Sequence, residues 1–582
     1  MAYISVSRPG CGLQIRSQYY FFISNAFLQL YPLFPRIFLT RRIFVRNCHI
    51  CLNMMNILLT FTLLPISFGF VIRTIPLVAT QPMTGKNDSM AMLGWKIPLT
   101  LLIWSVIVIG ACSDTSPLYS FYPSPDPSIF FMFGRGLLHG LLPYVEMADS
   151  KGPLLVWIYY AAAWIDGHSF AGIFLIQCVT LFTTLLLACG TARFYLSQRG
   201  SLLASMLLCL FLFDSFPFQR GGGVEELCWP GMAAVVYGLV RYFRMRDRRS
   251  LLFLFGTAGV FAGAASMMKF SIAFPVCALG GVLCLWLWWN GRRKEAAVAL
   301  GAALAGFLAV VVPCSAWLVS NGVWKEAMNE YLLCSVRYGT VSQDTTWWAR
   351  LLRPAPVRCL SDVLMWVAVI WALAIAGWRQ LKTQKALLFT ALLYIFFKVE
   401  MFSVYNYYYN SILSPMMIWV TIFFVARAER RFSLCMPRMA AATLAIACLT
   451  GAGVAAGLTG AVRKGDFVWN GREFYSPAVR ERLASFSEAS VLYLGWLDRG
   501  FGITWDWKPC GRYWFLQNFP SEEMVREQYD YIEQGIPDII HTSSRDDDSF
   551  LRQHGYKPLM PELDGGFWCR VSQGDGEPFP EE

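Results

Sequence analysis

The chain has 582 residues, of which 56% are hydrophobic and only 15% charged, whereas soluble domains carry about 25% charged residues. This deficit excludes an ordinary soluble fold. The formal net charge of +11 does not indicate a nucleic-acid partner, because the bases cluster in short loops between apolar blocks, as in 241–249, 292–294 and 427–431. That is the pattern by which Lys and Arg orient membrane helices.

Many apolar blocks run for 17 residues or more with almost no charge. Crossing about 30 Å of hydrocarbon takes roughly 20 apolar residues in a helix, and only helices or closed barrels satisfy their backbone in lipid. The blocks lack the alternation of barrel strands. The expected fold is therefore an all-α polytopic membrane bundle of about 11 transmembrane helices, followed by a small extracytoplasmic α/β C-terminal domain.

In chain order, residues 1–89 differ from the rest. They carry scattered Arg and one apolar stretch, 57–79, interrupted by Pro65, Arg73 and Pro76. An extra span, a signal-like segment and an extension preceding a start at Met83, Met90 or Met92 all fit. Residues 90–459 form the transmembrane domain, with spans expected near 95–112, 169–196, 201–217, 229–243, 251–268, 272–289, 296–318, 361–377, 386–403, 410–426 and 438–459. Lys96, Arg193, Arg199, 241–249, 292–294, 379–385 and 427–438 then fall on one side, which is the cytoplasmic one. The outward segments are a large first loop (113–168), a Gly-rich loop (218–228), a loop at 319–360, a Tyr cluster at 404–409 and the tail.

The tail, 460–582, has ordinary charge and short apolar runs such as 490–495 and 537–542 that read as buried strands, with helical stretches such as 521–531 between them. Cys510 and Cys569 lie here and could form a disulfide. Most of the 17 Cys give little signal: several lie inside apolar blocks, and the single C-x-x-C, Cys48 to Cys51, has no second pair to complete a zinc site.

The first loop carries the chemistry. In Asp126-Pro127…Gly140, Asp126 stands at an expected helix N-cap, Pro127 at the first helical position and Gly140 at a C-terminal stop. Ile129, Phe130, Phe133 and Leu137 form one face, with Arg135 and His139 on another, so the helix should lie along the outer membrane surface. A second short helix starts at Pro153, just past Glu146, Asp149 and Lys151. A hydroxyl that attacks a sugar carbon needs a carboxylate to take its proton, and a lipid-phosphate leaving group needs cations such as Lys151 or Arg135. Equally, Asp126 fits a plain N-cap and Asp149 a turn residue.

The run Asp126-Pro-Ser-Ile-Phe-Phe-Met-Phe-Gly-Arg135, followed by Pro143-Tyr144 and Asp149-Ser-Lys151-Gly152-Pro153, resembles the first outer loop of the GT-C glycosyltransferases. The branch it is most similar to is glycosyltransferase family 39-like, that of protein O-mannosyltransferase and lipid A aminoarabinose transferase relatives. Residues 220–230, with the acidic pair Glu225 and Glu226, resemble the family's second outer loop. Tyr405 to Tyr409 with Pro415, and residues 512–520, resemble later elements. The resemblance implies a polyprenyl-phosphate sugar donor, an inverting displacement and Asp126 as catalytic base, for a lipid, glycan or protein acceptor; Asp149 is a second catalytic candidate, and which acid assists Asp126 stays open. It also leaves open whether a divalent metal is used; no protein ligand set for one is evident. Two departures are Glu146, near where relatives carry a second Asp-type residue, and Lys-Gly-Pro in place of His-Pro-Pro.

Five further groups fit either a site or a bland role. Lys269, at the end of a span, suits a donor phosphate or snorkelling to the interface. Glu225 and Glu226 suit acceptor orientation or solvation, and Tyr407 sugar contact or an aromatic belt. Lys398 and Glu400, and the arginines at 337, 350, 353 and 358, pose similar alternatives. The competing functions are a transporter or flippase of a lipid-linked saccharide and a non-catalytic envelope assembly protein. The expected location is the cell (plasma or inner) membrane.

Overall fold

The computed structural model describes residues 94–117, 125–213, 221–336, 407–431, 477–495, 497, 501–517, 521–542, 547–559 and 566–571. The expected spans at 361–377, 386–403 and 438–459, the 1–89 extension, Lys398, Glu400 and the 337–358 arginines lie outside these residues. The described chain is mostly helical. Its helices are α1 (Lys96–Cys112), α2 (Pro125–Leu138), α3 (Pro153–Ile165), α4 (Ala171–Arg193), α5 (Gln198–Leu212), α6 (Val224–Leu227), α7 (Trp229–Met245), α8 (Arg248–Met268), α9 (Ala273–Trp289), α10 (Arg293–Ser320) and α11 (Trp324–Ala327). A 3-10 helix, Tyr407–Met417, then runs into α12 (Ile418–Arg431).

Among the described residues five stretches are long and apolar enough to cross a bilayer: Ala171–Arg193, Arg248–Met268, Phe270–Trp289, Arg293–Ser320 and Ser411–Glu429. At 1.5 Å per residue, α4 alone spans about 34 Å. Local chemistry sets the turns between them. Ser197 caps α5 by accepting from Gly200 N–H at 3.1 Å, and Asp247 caps α8 by accepting from Ser250 N–H at 2.7 Å. Small residues set the packing. A Cβ added at Gly259 would overlap the Ala303 carbonyl, and one at Gly306 the Gly256 carbonyl. In lipid, where apolar side chains gain little by meeting one another, such close backbone approach is a main source of helix association.

Near the C-terminus, β1 (Ser490–Tyr493), β2 (Lys508–Pro509), β3 (Ile539–His541), β4 (Tyr556–Pro558) and β5 (Phe567–Arg570) form one sheet in the order β2-β1-β3-β5-β4. β1 is parallel to both β2 and β3, while β5 is antiparallel to β3 and β4. Helix α13 (Pro477–Ala484) precedes the sheet; α14 (Phe501–Thr504), α15 (Glu522–Glu533) and α16 (Asp548–Gln553) lie between strands. Leu492, Ile532, Ile540, Leu551, Tyr556 and Trp568 make the core here. The apolar runs at 490 and 537 are thus β1 and β3. The disulfide expectation is overturned: Cys510 and Cys569 are both free. Cys510 follows β2 and Cys569 lies in β5, so two strands stand between them, an offset of about 14 Å at the usual strand spacing.

The first loop also departs from expectation. α2 begins at Pro125, so Asp126 lies in its first turn rather than at the cap. Nor does α2 lie with a polar face in water: Phe130, Phe131, Met132, Phe133 and Arg135 are all buried. Gly140 does end the helix region as expected, at φ 89°, where a side chain would strain the backbone.

Candidate functional site

Two short helices and the end of a long one build the site. Gly152 N–H donates to the Met268 carbonyl at 2.9 Å, and a Cβ at Gly152 would overlap the Met267 carbonyl. Only glycine lets the mouth of α3 approach the end of α8 this closely. The contact brings Lys151, just before α3, toward Lys269, just after α8. The first turn of α2 faces the same place: the groups whose charges act on Asp126 are Lys151, Lys269, Glu225 and Asp149. Residues far apart in sequence thereby share one electrostatic site.

Burial raises the Asp126 carboxyl above its ordinary value; Lys151 and Lys269 pull it back, and Glu225 and Asp149 push it up again. Lys269 Nζ donates to Glu225 Oε1 at 2.7 Å, with both side chains largely buried. Lys151 is held more loosely. Its ammonium is 3.9 Å from Asp149 Oδ1, 3.4 Å from Ser150 Oγ and 5.6 Å from the Phe130 ring centre. Asp149 accepts from its neighbour Ser150 N–H at 2.6 Å, as a turn residue does, yet it also faces the recess with Lys151. That recess is walled by Phe130, Phe133, Tyr144, Leu155 and Val156. Asp126 is four residues before Phe130 on α2, one turn away on the same side.

Three residues to which the sequence assigned no role hold the site. Tyr144 is 1% exposed with φ 72°, a conformation costing about 1–3 kcal/mol for a bulky residue. Its hydroxyl donates to the Lys151 carbonyl at 2.8 Å. Tyr159 donates to the Gly222 carbonyl at 2.6 Å. Gln177 donates to both oxygens of Glu226 at 3.0 and 2.8 Å. A signal for Gln177 was available: an amide inside the apolar α4 is costly in lipid unless it has a partner.

Other expected site residues stand elsewhere. Arg135 is 2% exposed and faces the C-terminal region. Its Nε lies 3.1 Å from Asp506 Oδ1, Nη1 donates to the Ile503 carbonyl at 2.8 Å, and Nη2 donates to the carbonyls of Gly502 at 2.8 Å and Trp507. A guanidinium spent in this way has no fork left for a phosphate. Glu146 is exposed and accepts from Leu142 N–H at 2.6 Å within its own turn. Tyr407 opens the 3-10 helix, but its side chain lies outside the described residues. Among the described residues no group of three His, Cys, Asp or Glu side chains converges as a metal site would.

The C-terminal region covers the first loop. Ala148 N–H donates to the Arg512 carbonyl at 2.9 Å. Arg512 Nη2 donates to Glu330 Oε1 at 2.6 Å and Tyr513 OH to the same oxygen at 3.1 Å. Phe133 packs on Trp514 and Phe515, with ring centres 6.2 and 6.4 Å apart.

A family model described as dolichyl-phosphate-mannose-protein mannosyltransferase matches residues 150–317. The match includes Lys151, Gly152, Glu225, Glu226 and Lys269 but begins after Asp126 and Asp149. No curated protein matches the chain. The fold is similar to two crystal structures of ArnT from Cupriavidus metallidurans. The one bound to undecaprenyl phosphate is 13% identical, with a TM-score of 0.53 over 83% of this chain and 99% of that one. The apo form is 12% identical, with a TM-score of 0.52 over 81% and 97%. The class is that of an integral membrane protein with an ArnT-like helical fold. Within that class, the segment 150–317 is similar to the dolichyl-phosphate-mannose-protein mannosyltransferase family.

Proposed function

We propose that the protein moves a sugar from a polyprenyl-phosphate donor to an extracytoplasmic acceptor by inverting displacement, with Asp126 as the base. The observation that carries this reading is the convergence of Asp126 with Lys151 and Lys269 from three separate helix ends. The undecaprenyl phosphate bound in the similar ArnT structure supports a lipid of that kind as carrier.

An acceptor hydroxyl or amine gives its proton to an Asp126 oxygen as its lone pair bonds to the anomeric carbon. The bond from that carbon to the phosphate oxygen breaks on the opposite face, and its electron pair leaves with the polyprenyl phosphate. Lys151 and Lys269 stabilise the charge on that phosphate, and they act most strongly where water is excluded. The raised pKa of Asp126 makes it a stronger base than a solvated carboxylate, at the cost of protonation nearer neutrality. Glu225 holds Lys269 in place and Asp149 orients Lys151. Arg135 and Glu146 have no direct part.

On this reading the site lies on the outer face of the plasma or inner membrane, residues 460–582 form an extracytoplasmic domain, and 1–89 are an extension ahead of the 90–459 transmembrane domain. The decisive variant is Asp126→Asn. Purified and supplied with the lipid-linked sugars of a bacterial envelope extract, it should release little or no polyprenyl phosphate, yet still bind undecaprenyl phosphate. Transfer at the parent rate by a folded D126N protein would remove the assignment.

A further inference from the structure

The transfer step above leaves one buried acid unused. Glu226 is 3% exposed, and no cation reaches it among the described residues; the nearby ammonium, Lys269, is taken by Glu225. Its oxygens accept instead from Gln177 Nε2, at 3.0 and 2.8 Å, and from Gly222 N–H at 2.8 Å. The Gln177 amide is oriented by its other partners, since its oxygen accepts from Ser113 Oγ at 3.1 Å and from Thr115. One carboxylate therefore ties the second turn of α4 to the glycine loop ahead of α6 and, through Gln177, to the segment after α1.

That loop bears directly on the site. Gly222 sits at φ 75°, its carbonyl accepts from Tyr159, and a Cβ there would stand 3.0 Å from the Pro127 ring. Pro127 follows Asp126, and Glu225, the partner of Lys269, precedes Glu226. Burying a carboxylate with no cation beside it is expensive. A leucine would fill the same space without that cost, but it could not hold the loop from both sides.

We propose that Glu226 is a positioning residue for the transfer site, fixing the 221–226 loop so that Asp126 and the Lys269 ammonium keep their places. This rests on the glycosyl-transfer reading above. The hold depends on pH. Every partner of Glu226 is a donor, so the bonds are complete only while the carboxylate is ionised; a protonated oxygen would face donors with nothing to accept its hydrogen. Burial pushes its pKa up to about 7. The groups that face it are Gln177 and Cys178 from α4, Tyr159 from α3 and Gly222 from its own loop, none of them positively charged. As pH falls through about 7 the carboxyl takes up a proton and the loop loses its tether.

The test uses the full-length protein in lipid nanodiscs, with undecaprenyl phosphate as the binding probe and its release from lipid-linked sugars as the measure of transfer. Wild type should lose transfer as pH falls from 8 to 6, more steeply than Asp126 alone would cause. Glu226→Gln and, on the far side of the network, Gln177→Leu should each lower transfer at pH 8 about tenfold, the scale of a small misplacement of reacting groups. Both should flatten the profile near neutrality, and the double variant should be no worse than either single, as for members of one network. The lipid phosphate's own ionisation affects binding alike in all variants. Overturning results are E226Q with the parent rate and pH profile, or losses in both variants that merely track the fraction of folded protein. D126N in the same assay separates the two claims: an active D126N removes the glycosyl-transfer reading, whereas an inactive D126N beside a normal E226Q removes only this one.

Discussion

The two ends of α2 treat charge in opposite ways. At one end Asp126 stands among two lysines and two carboxylates, with its protonation balanced between burial and the cations. At the other end Arg135 is saturated by Asp506 and the backbone carbonyls of 502, 503 and 507. One helix thus carries a poised acid and a structural cation nine residues apart. A charge with every partner satisfied fastens elements together, and a charge left in tension is available for chemistry.

Asp126→Asn should give the largest effect, a loss of transfer of about 10²–10⁴-fold as expected for a removed general base, read by polyprenyl-phosphate release. Lys151→Ala or Lys269→Ala should come next, at about 10²–10³-fold for one lost stabiliser of developing charge. Arg135→Leu should act differently. It strands Asp506 and several carbonyls, so the fold should lose about 3–5 kcal/mol as for a broken buried pair, measured by thermal unfolding in detergent. Whatever folded R135L remains should still turn over. A rate loss in R135L with unchanged stability would mean that the contrast between the two ends is wrong.

The smallest effect concerns pH and stability. Because the folded-state pKa of Asp126 is raised, the group favours the fold while protonated. That contribution is full below the unfolded carboxylate value and is lost as pH rises through the folded one. D126N, always neutral, should therefore melt slightly above wild type at neutral pH and match it in acid, a modest trade between stability and activity. In wild type the acid limb of transfer should lie above the range of an exposed carboxylate.

Much of this was legible in the sequence, for physical reasons. Apolar blocks as long as a bilayer is thick announce helices, and Asp126, Asp149 and Lys151 stood out because two short helices open in one loop. What the sequence hid is long-range partnership. Nothing local in Phe-Gly-Arg135 says that this arginine meets Asp506, 371 positions later, so a phosphate contact was the natural expectation. The same holds for Glu226, whose acidic pair reads as one unit although its members face different partners: Glu225 takes a lysine, and Glu226 takes an amide inside α4. Tyr144 was visible as part of a Pro-Tyr element, but its left-handed backbone is set by the turn it closes on Met147.

The account depends most on Lys151 and Lys269 gripping one phosphate beside Asp126. Affinity for undecaprenyl phosphate, measured for wild type, Lys151→Ala, Lys269→Ala and the double variant, tests this directly. Each single variant should bind about tenfold or more weakly, with the double falling short of the product of the two, because the lysines share a ligand. Wild-type affinity in both single variants would contradict it.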